Sequence, residues 1–202
     1  LEQLQRAAET MEQMDPRVVL PEVRERLVNT YASILMQAEE NEMLINFAQS
    51  KLSLASGPTA TVHYLYGLAL LKSNRSTEAI TQLQACIDKA DAPTLAPGCP
   101  GVNQAAPHHL IADCLTRDGR AEEAEEHYCQ AVLKEPGNPG PRHDYARFLA
   151  AHNRAPEAIE LLHEFLGKGT PNEHLWALGC NIVNTHLADS QIAEEWTETA
   201  AL

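Results

Sequence analysis

A six-residue motif occurs three times in this chain and constrains its fold more than any other feature. Residues 74–79, 119–124 and 153–158 each read as a turn residue, Arg, two variable residues and Glu-Ala. The second and third copies start 34 residues apart, and the first and second start 45 apart. Because a motif recurring at a fixed period of this length is typical of helical repeats, the chain is predicted to be a repeat array.

Both sides of each motif have the spacing of amphipathic helices. Apolar and small residues recur every three or four positions before the motif at residue 74 (His63, Tyr66, Gly67, Leu70) and after it (Ala79, Leu83, Cys86). The turn residues Asn74, Gly119 and Asn153 tolerate the left-handed conformation that ends a helix. Each motif is therefore predicted to join two antiparallel helices.

This pattern resembles the tetratricopeptide repeat. The resemblance rests on a small residue, a bulky residue, a Gly or Asn turn, Ala, an aromatic residue or Leu, Ala, and Pro, with a period of 34 residues. It is clearest over 60–171 and weaker over 21–57. The resemblance implies an all-α fold, a right-handed superhelical solenoid of antiparallel helix pairs.

The chain divides into helix pairs with one interruption, a stretch rich in Pro and Gly that lengthens the first period. The absence of an initiator Met leads us to expect that the chain is part of a longer protein. The predicted segments are 1–16, an unpaired helix interpreted as the second helix of a truncated preceding repeat; 17–57, a degenerate pair; 58–93, a repeat; 94–104, an insertion loop; 105–138 and 139–171, repeats; and 172–202, a C-terminal repeat-like or capping pair.

Composition excludes several kinds of partner. The formal net charge of −13, with only 15 Lys and Arg, argues against nucleic acid or an anionic membrane. No apolar run approaches the roughly 18 residues of a transmembrane helix. The five scattered cysteines form no disulfide framework, so a reducing compartment, the cytoplasm, is expected.

Motifs for chemistry are missing from the sequence. The nine histidines form no pair with metal-ligand spacing, and His63 and His108 are predicted core residues. No phosphate-binding loop and no nucleophile motif is present. We therefore expect no cofactor, no metal site and no catalytic residues, and we predict that this segment is not an enzyme.

The resemblance implies a concave groove lined by the first helix of each pair. Its residues lie one helical step from the core stripe, and the predicted set is Tyr64, Leu68, His109, Asp113, Arg117, His143, Arg147, Trp176 and Asn181. The degenerate pair adds Asn29, Ser33 and Met36 to this prediction. In the last pair the register is open by one residue, and the predicted residues are Trp176 and Cys180, or Asn181 and Asn184 if the register is shifted by one.

Three functions are compatible with these patterns. The leading hypothesis is a protein–protein interaction scaffold that binds a peptide or partner domain in the groove. The alternative is a non-catalytic regulatory or substrate-presenting segment of a larger enzyme, for example a glycosyltransferase. A third hypothesis is a homodimer formed through the terminal helices, with Trp196 as an anchor.

Overall fold

A computed structural model describes residues 20–52, 57–89, 105–167, 172–188 and 190–200, together with Arg6 and Thr10. These residues form α-helices and no strand, which confirms the all-α fold class. The helices are α1 (Pro21–Gln37), α2 (Asn41–Leu52), α3 (Ala60–Lys72), α4 (Ser76–Lys89), α5 (Ala105–Arg117), α6 (Ala121–Lys134), α7 (Pro139–Ala151), α8 (Ala155–Leu166), α9 (Glu173–His186) and α10 (Gln191–Ala200).

The chain divides into two compact units, Leu1–Gly119 and Arg120–Leu202. The predicted insertion loop 94–104 and most of the predicted helix 1–16 lie outside the described residues. No helix in the described part of the chain combines the length and the apolar character needed to cross a bilayer.

In the first unit, successive helices pack on each other in chain order, and α1 also contacts α3. Leu44 and Ile45 of α2 share one core cluster with Val62 and Leu70 of α3. The first helix α3 therefore packs on its own partner α4 and on α2, the second helix of the preceding pair. This double contact is what makes a helical repeat array cohesive along its length.

Gly67 shows why the pairs need small residues. A Cβ at this position would lie 2.8 Å from Cγ of the buried Leu83 and 3.5 Å from the carbonyl oxygen of Ala79. A side chain at position 67 would have to displace Leu83 from its buried site, so glycine favours this close approach of α3 to α4. The small residue at this position of the repeat therefore has a packing role.

The second unit repeats the arrangement with α6 to α10. Successive helices again pack in chain order, and the first helices α7 and α9 contact each other. The pair α9 and α10 meets at Gly179, where a Cβ would lie only 1.9 Å from Cζ2 of Trp196. Trp196 is 1% exposed, so it is the residue that fixes α10 on α9.

The turns inside the pairs are left-handed, as predicted. Asn74, Gly119 and Asn153 have φ of 57°, 75° and 62°. The amide of Arg75 donates to the carbonyl of Leu70 at 2.9 Å, the six-to-one hydrogen bond of a Schellman cap.

The degenerate pair has the same turn without the sequence motif. Glu39 has φ of 59°, and the amide of Glu40 donates to the carbonyl of Leu35 at 3.0 Å. Neither the Arg nor the Glu-Ala of the motif is present here. The turn geometry is therefore a property of the helix pair rather than of the motif alone.

The Arg and Glu of the motif form the same ion pair in each copy. Arg75 donates through Nε and Nη2 to the two carboxylate oxygens of Glu78, both at 2.7 Å. Arg120 and Arg154 make equivalent forks with the Glu three residues on, at 2.6 to 2.7 Å. These forks are exposed and join the turn to the first turn of the second helix.

The third copy extends its fork into a network. Nη1 of Arg154 also donates to Glu125 of α6 at 2.6 Å, and the hydroxyl of Tyr145 donates to the same carboxylate at 2.9 Å. The Arg154 guanidinium holds the pKa of Glu125 below its usual value. Three helices, α6, α7 and α8, are thereby joined through one carboxylate.

Candidate functional site: the outer stripes of the first helices

In each unit two first helices lie side by side, α1 with α3 and α7 with α9. Adjacent helices of this kind present one continuous wall, whose chemistry depends on the stripe beside the core. We call these residues the outer stripe: Met36, Tyr64, Leu68, Leu71, His109, Asp113 and Arg117 in the first unit, and His143, Arg147, Trp176 and Cys180 in the second.

The outer stripe of α3 is apolar. Tyr64, Leu68 and Leu71 follow the spacing i, i+4, i+7, and all three are half-buried against the core cluster of the first unit. Met36 of the neighbouring α1 is half-buried against the same cluster. Their inner edges are packed and their outer edges are accessible, the condition in which apolar side chains are available to a partner.

The outer stripe of α5 is polar. Nε2 of His109 lies 3.6 Å from Oδ2 of Asp113, and their side chains are 28% and 33% exposed. Arg117 is exposed in the last turn of α5, where a cation complements the helix dipole. The predicted residues of this helix thus form one short polar row.

The prediction for Asn29 and Ser33 is wrong, because both side chains are buried. The side-chain oxygen of Asn29 accepts a hydrogen bond from the hydroxyl of Thr59, and Ser33 donates to the carbonyl of Asn29 at 2.9 Å. Thr59 in turn caps α3 by accepting from the amide of Val62 at 3.1 Å. These polar groups fasten α1 to the start of α3. Their spacing alone gives no sign of this role.

The two outer-stripe residues of α7, His143 and Arg147, both lie beside the carboxylate of Asp144. Oδ1 of Asp144 lies 3.0 Å from Nδ1 of His143 and 3.9 Å from Nη1 of Arg147. The side chain of Arg147 is 65% exposed, so its charge is accessible to a partner. Asp144 was not among the predicted site residues, although it follows His143 directly in the sequence.

The buried residues of α9 show which of its residues correspond to the outer stripe of α7. Leu175, Gly179 and Ile182 are buried and follow the core positions of α7 by 33 residues. Trp176 and Cys180 therefore correspond to His143 and Arg147. Asn181 is exposed, and it corresponds to Phe148 rather than to the outer stripe.

Trp176 is half-buried, and its ring centroid lies 4.6 Å from that of Trp196. The two indoles differ in role, because Trp196 is inside the pair and donates through Nε1 to Sγ of Cys180 at 3.4 Å. The prediction that Trp196 is an accessible anchor for a dimer is therefore wrong. Trp176 is the indole at the surface.

The histidines and cysteines of the core behave as packing residues. His63 and His108 are buried, as predicted, and Nδ1 of His63 lies 3.0 Å from Oε1 of Gln82. Burial lowers the pKa of His63 and raises the pKa of Cys86 to about 12. Within the described ranges no three His, Cys, Asp or Glu side chains are grouped to hold a metal ion.

Comparisons with known proteins agree with this geometry. Residues 103–179 match the family model of the tetratricopeptide repeat. A search of curated proteins found no match for the chain.

Solved structures match the chain over nearly its whole length at low sequence identity. YrrB, a TPR protein with an unusual peptide-binding site, has a TM-score of 0.66 and 15% identity, covering 98% of this chain and 90% of its own. The C-terminal part of a TPR repeat-containing protein from Cytophaga hutchinsonii has a TM-score of 0.68 and 12% identity, covering 97% and 72%.

A putative kinesin light chain from Podosopora anserina, with nearly identical TPR-like repeats, has a TM-score of 0.61 and 17% identity. The match covers 91% of this chain and 96% of that one. At these identities the likeness concerns the fold. Residues 103–179 therefore carry the sequence pattern of the tetratricopeptide repeat, and the described helices have the fold of solved tetratricopeptide-repeat structures.

Proposed function

We propose that this chain binds a peptide or a partner domain along the outer stripes of its first helices. The tetratricopeptide-repeat fold is that of protein-interaction scaffolds. The observation that carries the proposal is the row of Tyr64, Leu68 and Leu71, which are apolar, half-buried and aligned on one helix face. One structure with this fold, YrrB, has a peptide-binding site.

The chemistry of the stripes defines the ligand. Covering the exposed edges of three apolar side chains contributes on the order of 1 kcal/mol each, at about 25 cal/mol per Å². Within the same unit, the polar row on α5 adds hydrogen-bonding positions that orient a peptide. An extended or helical peptide with apolar side chains meets both requirements better than a phosphate backbone does.

The mode of action is binding rather than catalysis. We assign the chain to the cytoplasm, in keeping with the free thiols of Cys86 and Cys114. Partners are expected to be proteins or peptides, and nucleic acid is disfavoured by the net charge of −13.

The test is a peptide-display selection on the whole chain, followed by affinity measurements on variants. Leu68→Ala removes an apolar contact from the outer stripe and is expected to weaken the selected peptides by about 5- to 30-fold, the range of interface residues that contribute 1 to 2 kcal/mol. Leu133→Ala is the matched control, since Leu133 is 69% exposed on the second helix α6.

Circular dichroism establishes that both variants keep their helices. Peptides that bind both variants as tightly as the parent chain overturn the proposal. A Trp176→Ala variant tests the second unit in the same assay, because Trp176 is the half-buried indole of its outer stripe.

A further inference from the structure

The helix α3 is apolar on nearly all of its faces. Lys72 is its one charged residue, and the polar residues Thr61 and His63 are buried. A helix of this composition is typical of a position that is buried on all sides. The outer stripe of α3 nevertheless keeps exposed edges, so a partner that covers it would complete the burial of the helix.

Lys72 lies in line with the apolar row of α3. Tyr64, Leu68 and Lys72 follow the spacing i, i+4, i+8, so their side chains lie along the same side of the helix. Lys72 is exposed at the end of this row, in the last turn of α3. A ligand that covers Tyr64 and Leu68 therefore comes close to the ammonium group of Lys72.

The charge of Lys72 is available to a ligand. Among the described residues, its ammonium group has no ion-pair or hydrogen-bond partner. The other two lysines of the first unit are engaged: Nζ of Lys51 lies 4.5 Å from the ring centroid of Phe47, and Nζ of Lys89 donates to the carbonyl of Pro58 at 2.8 Å. Lys72 thus differs from both of them.

The repeat itself does not require a cation at this position. The corresponding residues are Gln37 in α1, Arg117 in α5 and Ala151 in α7. The last turn of α7 has no basic residue, so the end of a first helix does not depend on a cation that complements the helix dipole. A lysine beside the apolar row of α3 therefore fits a role in binding better than a role in folding.

We propose that the peptide bound by the outer stripe of α3 carries an aspartate or glutamate side chain that pairs with Lys72. This charge preference rests on the function proposed above, because it concerns the same bound peptide. Apolar side chains of the peptide cover Tyr64, Leu68 and Leu71, and its carboxylate lies beyond them at the end of α3. Because the cation stands at one end of the row, the pair also fixes the direction of the peptide.

The net charge of −13 weakens this pairing little. At physiological ionic strength, exposed charges more than about 8 Å apart are largely screened, so a single carboxylate responds to the charges nearest to it. The first carboxylate after Lys72 in the sequence, Glu78, is held by Arg75 through two hydrogen bonds at 2.7 Å. A nucleic acid differs from such a peptide, because its continuous line of phosphates cannot be confined to one cation.

The test uses synthetic, amidated copies of display-selected peptides whose binding is weakened by Leu68→Ala. Amidation removes the terminal carboxylate, so that only side chains supply negative charge. Lys72→Glu replaces attraction by repulsion and is expected to weaken these peptides by about 3- to 10-fold at low salt, the range for an exposed ion pair that is reversed. The effect should shrink at high salt, because salt screens exposed charges.

Lys134→Glu is the matched control, because Lys134 is likewise an exposed lysine in the last turn of a helix. It changes the net charge equally and should leave the affinity unchanged. The reciprocal change replaces the acidic residue of the peptide by lysine. This peptide should bind the parent chain more weakly and the Lys72→Glu variant more tightly than the original peptide does. Circular dichroism verifies that both variants keep their helices.

Three results overturn the pairing with Lys72 and leave the proposed function standing. The first is a set of peptides that depend on Leu68 but contain no acidic residue. The second is equal affinity of the acidic peptides for Lys72→Glu and Lys134→Glu. The third is failure of the lysine-bearing peptide to recover affinity for Lys72→Glu. Peptides that are indifferent to Leu68→Ala overturn the proposed function instead, so the two failures are distinguished.

Discussion

Gly179→Ala gives the sharpest test of how the last helix pair is held together. The new methyl group would lie 1.9 Å from Cζ2 and 2.4 Å from Cη2 of Trp196. Because the indole is rigid and 1% exposed, it cannot move aside within the pair. The expected outcome is that Trp196 leaves its site and α10 detaches from α9.

The magnitude follows from two opposing terms. Burial of an indole removes about 200 Å² from water, and at about 25 cal/mol per Å² this limits the loss to about 5 kcal/mol. The gain in helix propensity from Gly to Ala offsets about 1 kcal/mol. We therefore expect a net loss of about 2 to 3 kcal/mol, within the range of overpacked cores.

The assay is chemical denaturation followed by tryptophan fluorescence in a Trp176→Phe background, where Trp196 is the sole indole. Its emission should shift to the red in Gly179→Ala before any denaturant is added. The control is Gly137→Ala, which has no atom within 4 Å of the new Cβ and should gain about 0.4 to 1 kcal/mol. The reasoning is refuted if Gly179→Ala is as stable as its parent and its emission stays blue.

Three further outcomes are expected. Glu39→Gly should raise the free energy of unfolding by about 0.5 to 1 kcal/mol in urea denaturation, because glycine adopts the left-handed conformation of Glu39 without strain; an unchanged midpoint contradicts this. Burial lowers the pKa of His63 in the folded state, so the unfolded chain takes up the proton first as the pH falls below about 6.5. Stability should therefore be full above that pH and decline below it, and His63→Gln should flatten the profile; a parallel decline in both proteins rules out His63 as the source. Arg154→Ala should lower the thermal midpoint more than Arg75→Ala, because Arg154 also binds a carboxylate of another helix; equal shifts argue against the network.

The helix pairs and their turns could be predicted from the sequence because they depend on local chemistry. Asn74 and Asn153 tolerate a positive φ by themselves, and Gly67 is small whatever surrounds it. The local conformation at such positions can be inferred from the residue type alone. The period between them then defines the architecture.

The errors occurred where burial depends on residues distant in the sequence. Asn29 has the spacing of an outer-stripe residue, but it is buried. Its side-chain oxygen accepts a hydrogen bond from Thr59, 30 positions later in the sequence. The sequence around Trp196 does not show that its ring is buried, because the ring packs against Gly179 on another helix. Asp144 was overlooked because its role depends on the side chains of His143 and Arg147. Single-sequence spacing cannot express such contacts.

The arginine forks affect the susceptibility of the folded chain to trypsin. Trypsin cuts after arginine only when it can draw the flanking residues into an extended strand. Arg75 and Arg154 each have their amide bonded to a carbonyl of the preceding helix and their guanidinium bonded to a glutamate of the following one. The peptide bonds after them, which join the two helices of each pair, should therefore resist digestion while the pair is folded. Limited trypsinolysis would thus cut exposed sites such as Arg147 only after local unwinding, and would report the unfolding of each pair separately.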